Sequence, residues 1–315
     1  MIVTIDENVA NDPDALRWLD GILGTIEDGW HLWDVTGLEE YSGTVWLTHS
    51  AVRNRQISEL YRKSVARGFW SSGSAPHGRR IRVVVETTTE GELTPEPACR
   101  FARERLVVLV ENRDSDGAFL ERVIAELDRP LLRWWHQNPA PVEFKDRGGK
   151  GQMLNEVKRL EDRNPRPRFV VVVDSDRKQP GANSCIEAQR LEKACDELGI
   201  PCWVLAKREA ENYLPRELLD LRRNVGRDHQ RRVEAWDRLS DGLKDVYDLK
   251  DGLTAEDESG VFDGLSAMDL QLLRPGFGNG IGQCWTEHHG QCAGALSERG
   301  RGDLEYGLSL IKKEV

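Results

Sequence analysis

Six cysteines (Cys99, Cys185, Cys195, Cys202, Cys284 and Cys292) are scattered along the chain, and no two stand at C-x-x-C spacing. A chain of this size does not need staples to fold, so reduced thiols are expected. Apolar runs long enough to span a bilayer are also missing, and the N-terminal stretch MIVTIDENVANDPD turns acidic at its sixth residue. Both features argue against a signal peptide or a membrane partner and for a cytoplasmic protein. Net positive charge is lacking as well: 44 Lys and Arg stand against 54 Asp and Glu, a formal charge of −10. No global attraction draws such a chain to nucleic acid, so any such contact must be local and aided by cations. There is no G-x-x-x-x-G-K-[ST] phosphate loop and no internal repeat.

What is present reads most clearly in the middle. LVVLV (106–110), VEF (142–144), FVVVV (169–173) and CWVL (202–205) are short and rich in β-branched residues. The first and third lack alternation, as strands buried on both faces do. Between them, Phe119, Leu120, Val123, Ile124 and Leu127 share one helical face, as do Met153, Leu154, Val157 and Leu160, and then Ile186, Leu191, Ala194, Cys195 and Leu198. Strands alternating with helices predict a parallel sheet with right-handed crossovers. Around this core we expect a strand at 44–50, a helix at 53–67, a Gly/Ser-rich break at 71–78, a strand at 81–89 and a linker at 91–98. A mainly helical region follows Pro215.

Ligands of an open parallel sheet bind at the carboxyl ends of its strands. Those ends read ENRDSD (111–116), KDRGGKGQ (145–152), DSDR (174–177) and AKREAENYLP (206–215). Glu111, Asp174 and Asp176 offer the oxygen ligands that hard divalent ions prefer, and a bound cation would relieve their repulsion. Lys150 in the GGKG loop opens a helix, where backbone N–H groups and an ammonium could face phosphate. Metal-assisted phosphoryl transfer or phosphodiester hydrolysis suits these parts. The alternatives are that the aspartates only terminate a strand or cap a helix, or that D-x-D marks a nucleotidyl- or glycosyltransferase.

The glutamate after the first strand, the DSD, and REAENYL (208–214) together resemble the Toprim domain, in particular Toprim nucleases of the OLD (overcoming lysogenization defect) type found in anti-phage defence. The resemblance covers about 106–215. It implies an α/β fold with a Toprim-like parallel sheet and helices on both faces (101–225). The resemblance says nothing about the flanks, which from their own residue patterns are expected to be an α+β N-terminal region (1–100) and a mainly helical C-terminal extension (226–315). It also implies a Toprim endonuclease in which Glu111, Asp174, Asp176 and Glu211 hold Mg²⁺ or Mn²⁺, as two ions, and cleave DNA or RNA. Lys150 and Lys207 become candidates for stabilising charge on the phosphate. A separate ATPase or sensor partner is implied because no phosphate loop is present; a non-catalytic Toprim-like binding subunit is the other reading. The family's glycine after the first glutamate is replaced by Asn112, which leaves open whether Asp114 or Asp116 supplies the next acid, with a helix N-cap as a further reading of Asp116.

Three weaker signals remain. Cys284, His288, His289 and Cys292 could bind zinc, but one compact block is not the usual ligand spacing. The arginines within 222–232 could touch a nucleic-acid backbone, though a solvated helix face is the commoner use. Trp134 and Trp135 could stack a base, with burial the simpler account.

Overall fold

The computed structural model describes residues 1–34, 41, 43–49, 55–60, 62, 78–221, 228–255, 257, 260–287, 296 and 300–315. The central sheet runs in the order β6-β5-β7-β8, with every pairing parallel. Its strands are β5 (Leu106–Val110), β6 (Val142–Asp146), β7 (Phe169–Val173) and β8 (Cys202–Val204), close to the expected runs. Alternate residues point to opposite faces. Val108, Val110, Val170 and Val172 enter one core with Phe119, Leu120 and Val123 of the helix Arg113–Leu127. Leu109, Phe169, Val171 and Val173 enter another with Met153 and Val157 of the helix Lys150–Lys158 and Leu191 and Cys195 of the helix Ile186–Glu197. Helices thus cover both faces, as the uninterrupted valines require.

Strand order explains this split. The connection from β5 leads outward to β6, whereas the chain from β6 crosses back to β7 and continues to β8 on the other side. Right-handed crossovers that reverse direction must place their helices on opposite faces. The reversal leaves a crevice between the carboxyl ends of neighbouring β5 and β7.

The C-terminal region completes the first core. Trp236, Tyr247, Phe277, Trp285, Leu304 and Ile311 all pack into it. The helix Arg301–Glu314 lies against Trp203, with Asp303 accepting from Trp203 Nε1 at 3.1 Å and from the Ala206 N–H at 3.0 Å.

The N-terminal region holds its own parallel sheet, ordered β2-β1-β3-β4, from Ile2–Ile5 (β1), Leu32–Trp33 (β2), Arg80–Val83 (β3) and Glu92–Leu93 (β4). A separate core lies beneath it. Several local expectations fail here. The stretch 44–50 carries a short helix, Val45–Thr48, because the Thr44 hydroxyl accepts from the Leu47 N–H at 3.3 Å and a single turn suffices to bury Trp46 and Leu47. Local capping outweighs the strand preference of its β-branched residues. The supposed linker 91–98 supplies β4 and the start of the helix Pro95–Ala102, whose proline occupies the first turn, where no N–H is missed. The expected strand 81–89 ends at Val83. Residues 55–60 and 62 are helical, and the remainder of the expected helix and most of the 71–78 break lie outside the described residues. Arg79 and Arg166 tie the N-terminal and central regions to Glu314, at 3.5 Å and 2.7 Å. No helix among the described residues is long and apolar enough to cross a membrane.

Gly307 is buried where a β-carbon would overlap the Trp203 ring. Gly307→Ala should therefore overpack this contact and cost about 1–3 kcal/mol, read as a lower thermal midpoint. An unchanged midpoint would show that the helix is not seated as described.

Candidate functional site

The crevice between β5 and β7 gathers the carboxylates. Glu111 follows β5 directly, and Asn112 caps the next helix, its Oδ1 accepting from the Asp114 N–H at 2.9 Å. The helix starts earlier than expected, at Arg113, so Asp116 is not its N-cap. Instead Asp116 Oδ2 accepts from the Asn112 N–H at 2.9 Å and Oδ1 accepts from the Ser115 hydroxyl at 2.9 Å. Burial pushes the Asp116 carboxyl up against those hydrogen bonds, and the Glu111 charge pushes the same way. Asp114 is exposed. Of the two candidates, Asp116 is the one that shares the field of the cluster.

In DSD the middle residue turns inward. Ser175 is fully buried and donates to the Lys207 carbonyl at 2.6 Å, which leaves both aspartates on the crevice side. Asp174 Oδ1 accepts from the Ala210 N–H at 3.0 Å. Its carboxyl is held well above the usual range, first by loss of water and then by the charges of Asp116, Glu211, Glu111 and Glu209. Asp176 lies at φ 49, a left-handed conformation that Asp tolerates better than most residues and that is held by its N–H donating to the Arg208 carbonyl at 3.0 Å. Such strain, kept at a site, aims a side chain.

Lys150 stands between two of these acids. Gly148 and Gly149, at φ 59 and 117, make the turn that puts Lys150 at the start of its helix. Its ammonium donates to Glu111 Oε1 at 2.6 Å and Asp176 Oδ2 at 2.7 Å. Burial alone would lower its pKa, but the two carboxylates outweigh that and raise it.

REAENYL forms the other wall. Arg208 donates to Asp248 Oδ2 at 2.7 Å, and the Asn212 amide donates to the carbonyls of Lys244 and Tyr247, both at 2.9 Å. Tyr213 donates its hydroxyl hydrogen to Asp303. Segment 244–250 is thereby bolted beside the crevice and delivers Lys250, a residue that strand-end reasoning missed because it lies far along the chain. Lys250 Nζ reaches Glu211 at 3.2 Å and Glu209 at 3.5 Å. Its pKa is raised because Glu211, Glu209 and Asp174 outweigh burial. Glu211 is 1% exposed, and although Lys250 is within ion-pair range, neither carboxylate oxygen has an aligned hydrogen bond. Burial raises its pKa against the pull of Lys250. Glu209 is also buried, with Oε2 lacking a hydrogen bond, and burial together with Glu211 and Asp248 brings it up to about 7 despite Lys250. Gly282 closes the site: a β-carbon there would lie 2.8 Å from Glu211 Oε1 and 3.0 Å from Ser115.

Lys207 does not share this role. Its ammonium donates to the Asn212 carbonyl at 3.0 Å, pairs with Asp245 at 3.4 Å and lies over the Tyr213 ring, so it serves the scaffold of the wall. Cys284 is buried in the core, while His288, His289 and Cys292 lie outside the described residues. So do most of the arginines in 222–232; Arg231 pairs with Asp228, and Arg232 donates to the Leu272 carbonyl. Trp135 is buried, and the half-buried Trp134 donates to the Trp30 carbonyl, which accounts for both by packing.

The donors are all carboxylate oxygens, a set suited to Mg²⁺ or Mn²⁺. Buried oxygens of Glu211 and Glu209 without hydrogen-bond partners are the groups such an ion would satisfy. Among the described residues no three acids, histidines or cysteines are already drawn into a ready cage; Lys150 bridges Glu111 and Asp176, and Lys250 faces Glu209 and Glu211. Compared with protein-family models, curated proteins and solved structures, the chain matches none of them.

Because Glu209 titrates near 7 in the fold and near 4.5 when unfolded, its contribution favours the fold most below pH 4.5 and is lost as pH rises through 7. In EDTA, Glu209→Gln should therefore gain stability over wild type across that window, on the order of 2 kcal/mol by pH 8. Denaturant unfolding at pH 5 and pH 8 reads the difference; an advantage that is the same at both would show an ordinary carboxylate.

Proposed function

We propose that this chain is a metal-dependent nuclease that hydrolyses phosphodiester bonds of nucleic acid, DNA before RNA, with Glu111, Asp116, Asp174, Asp176 and Glu211 holding Mg²⁺ or Mn²⁺, as two ions. The observation that carries the reading is Glu211: a carboxylate 1% exposed, with neither oxygen aligned to a hydrogen-bond donor although Lys250 lies 3.2 Å away, and whose charge reaches Asp174 at the end of β7. Divalent ions there would supply the positive charge that phosphodiester hydrolysis needs and ease ionisation of the attacking water. Asp174 keeps its place through the Ala210 N–H, and Asp176 through its backbone bond to Arg208, so both ligands are pre-positioned. Lys150 and Lys250 place positive charge within the cluster, where it is available to a phosphate oxygen. Lys250 takes the part for which Lys207 is the sequence-based candidate. A role as effector of anti-phage defence beside a separate ATPase or sensor extends this reading and rests on the resemblance of the motifs.

Incubation with supercoiled DNA, linear DNA and tRNA, in Mg²⁺, Mn²⁺ or EDTA, tests it. Cleavage should require the ion and should fall at least about a hundredfold in Asp174→Asn, whose amide oxygen can keep the Ala210 hydrogen bond. Cleavage indifferent to EDTA and to that substitution would refute the proposal.

A further inference from the structure

Beside the carboxylates lies an open cleft of about 530 Å³ that the reading above does not use. It borders the site on two sides. Arg113 and Asp114, in one wall, follow the Asn112 cap, and Gln283, in the other, follows the Gly282 that closes over Glu211. The volume is that of a small-molecule site, which runs from ~300 to ~1,000 Å³.

The lining selects what can enter. Its floor includes the half-buried Phe144 ring, with Trp135 behind it at 5.5 Å between centroids. Gly117 packs against that ring, an added β-carbon lying 3.6 Å from it, so the helix backbone covers part of the aromatic surface and only the remainder of the ring lines the cleft. Around the rim, Gln283 can donate and accept, Asp114 and Glu121 can only accept, and Arg113 is the sole cation among the described lining residues. Two carboxylates against one guanidinium make this a poor phosphate site. A flat, uncharged group that carries both N–H donors and carbonyl acceptors matches it.

We propose that this cleft binds an unpaired nucleobase adjacent to the phosphodiester being cut, stacked on Phe144 and read at its edge by Gln283 and Asp114. The inference rests on the nuclease reading and sharpens it to a substrate class. A base inside a duplex is stacked and paired, so its ring faces cannot reach an aromatic floor without being extruded. Single-stranded or locally opened nucleic acid is then the substrate, and stacking, which every base can offer, makes the site tolerant of sequence.

The test uses the full chain with Mg²⁺ or Mn²⁺ and compares single-stranded with duplex oligonucleotides of the same sequence. Wild type should prefer the single strand by at least about tenfold. Phe144→Leu should raise KM for it roughly tenfold, the loss falling on KM rather than kcat, and Phe144→Tyr should restore it, which separates loss of the aromatic face from loss of fold. An active enzyme that cuts duplex as readily, or whose KM is the same in Phe144→Leu, overturns the base site alone. Quenching of the fluorescent nucleoside 2-aminopurine deoxyriboside gives an independent readout. Were wild type to cleave nothing, the nuclease reading would fall; quenching lost in Phe144→Leu would still support the cleft, and its absence in wild type would overturn it.

Discussion

Like-charged side chains do not share a partly buried crevice unless something opposes their repulsion, and the rest of this site is arranged around that opposition. Glu111, Asp116, Asp174, Asp176, Glu209 and Glu211 converge on one strand-end crevice, and Asp174 feels the charges of four of the others. Two ammonium groups are inserted among them: Lys150 against Glu111 and Asp176, Lys250 against Glu209 and Glu211. Burial and mutual repulsion raise the carboxyl pKa values of Asp116, Asp174, Glu209 and Glu211, while the same charges raise those of the lysines. A protein built for stability alone would gain by replacing such a cluster with apolar groups. Under the proposed nuclease reading, the cost of retaining it serves the chemistry of the site.

The topology decides where this cluster forms. Reversal of the strand order between β5 and β7 opens the crevice, and each neighbouring segment then contributes one side of it. The helix Arg113–Leu127 brings Asp116, the glycine turn before Lys150 brings the first ammonium, and the DSD turn, with its buried serine, brings two acids at once. The C-terminal region is part of the same construction, since Arg208, Asn212 and Tyr213 hold it by specific hydrogen bonds and it supplies both Lys250 and the covering Gly282.

Much of this was legible in the sequence because it is local. Valine runs buried on both faces have no alternative to a covered parallel sheet, and acids directly after such strands must emerge at one edge. Lys250 was not legible: nothing in its surroundings distinguishes it from a surface lysine, and only the hydrogen bonds of Arg208 and Asn212 bring it 39 residues back to Glu211. Lys207 misled for the opposite reason, since it follows the strand that ends beside the site, but its side chain packs over Tyr213 into the wall. In the N-terminal region, β-branched residues at 44–48 suggested a strand, and a threonine cap with one buried turn overrode them.

The central claim is that the carboxylate cluster, neutralised by two lysines and by raised pKa values, exchanges that neutralisation for divalent cations. Calorimetric titration of the chain with Mn²⁺ at pH 7, repeated in buffers of different ionisation heat, tests it directly. The account predicts saturable binding with protons released to the buffer, abolished in Asp174→Asn. An absence of binding, or binding that persists unchanged in that variant, would contradict it.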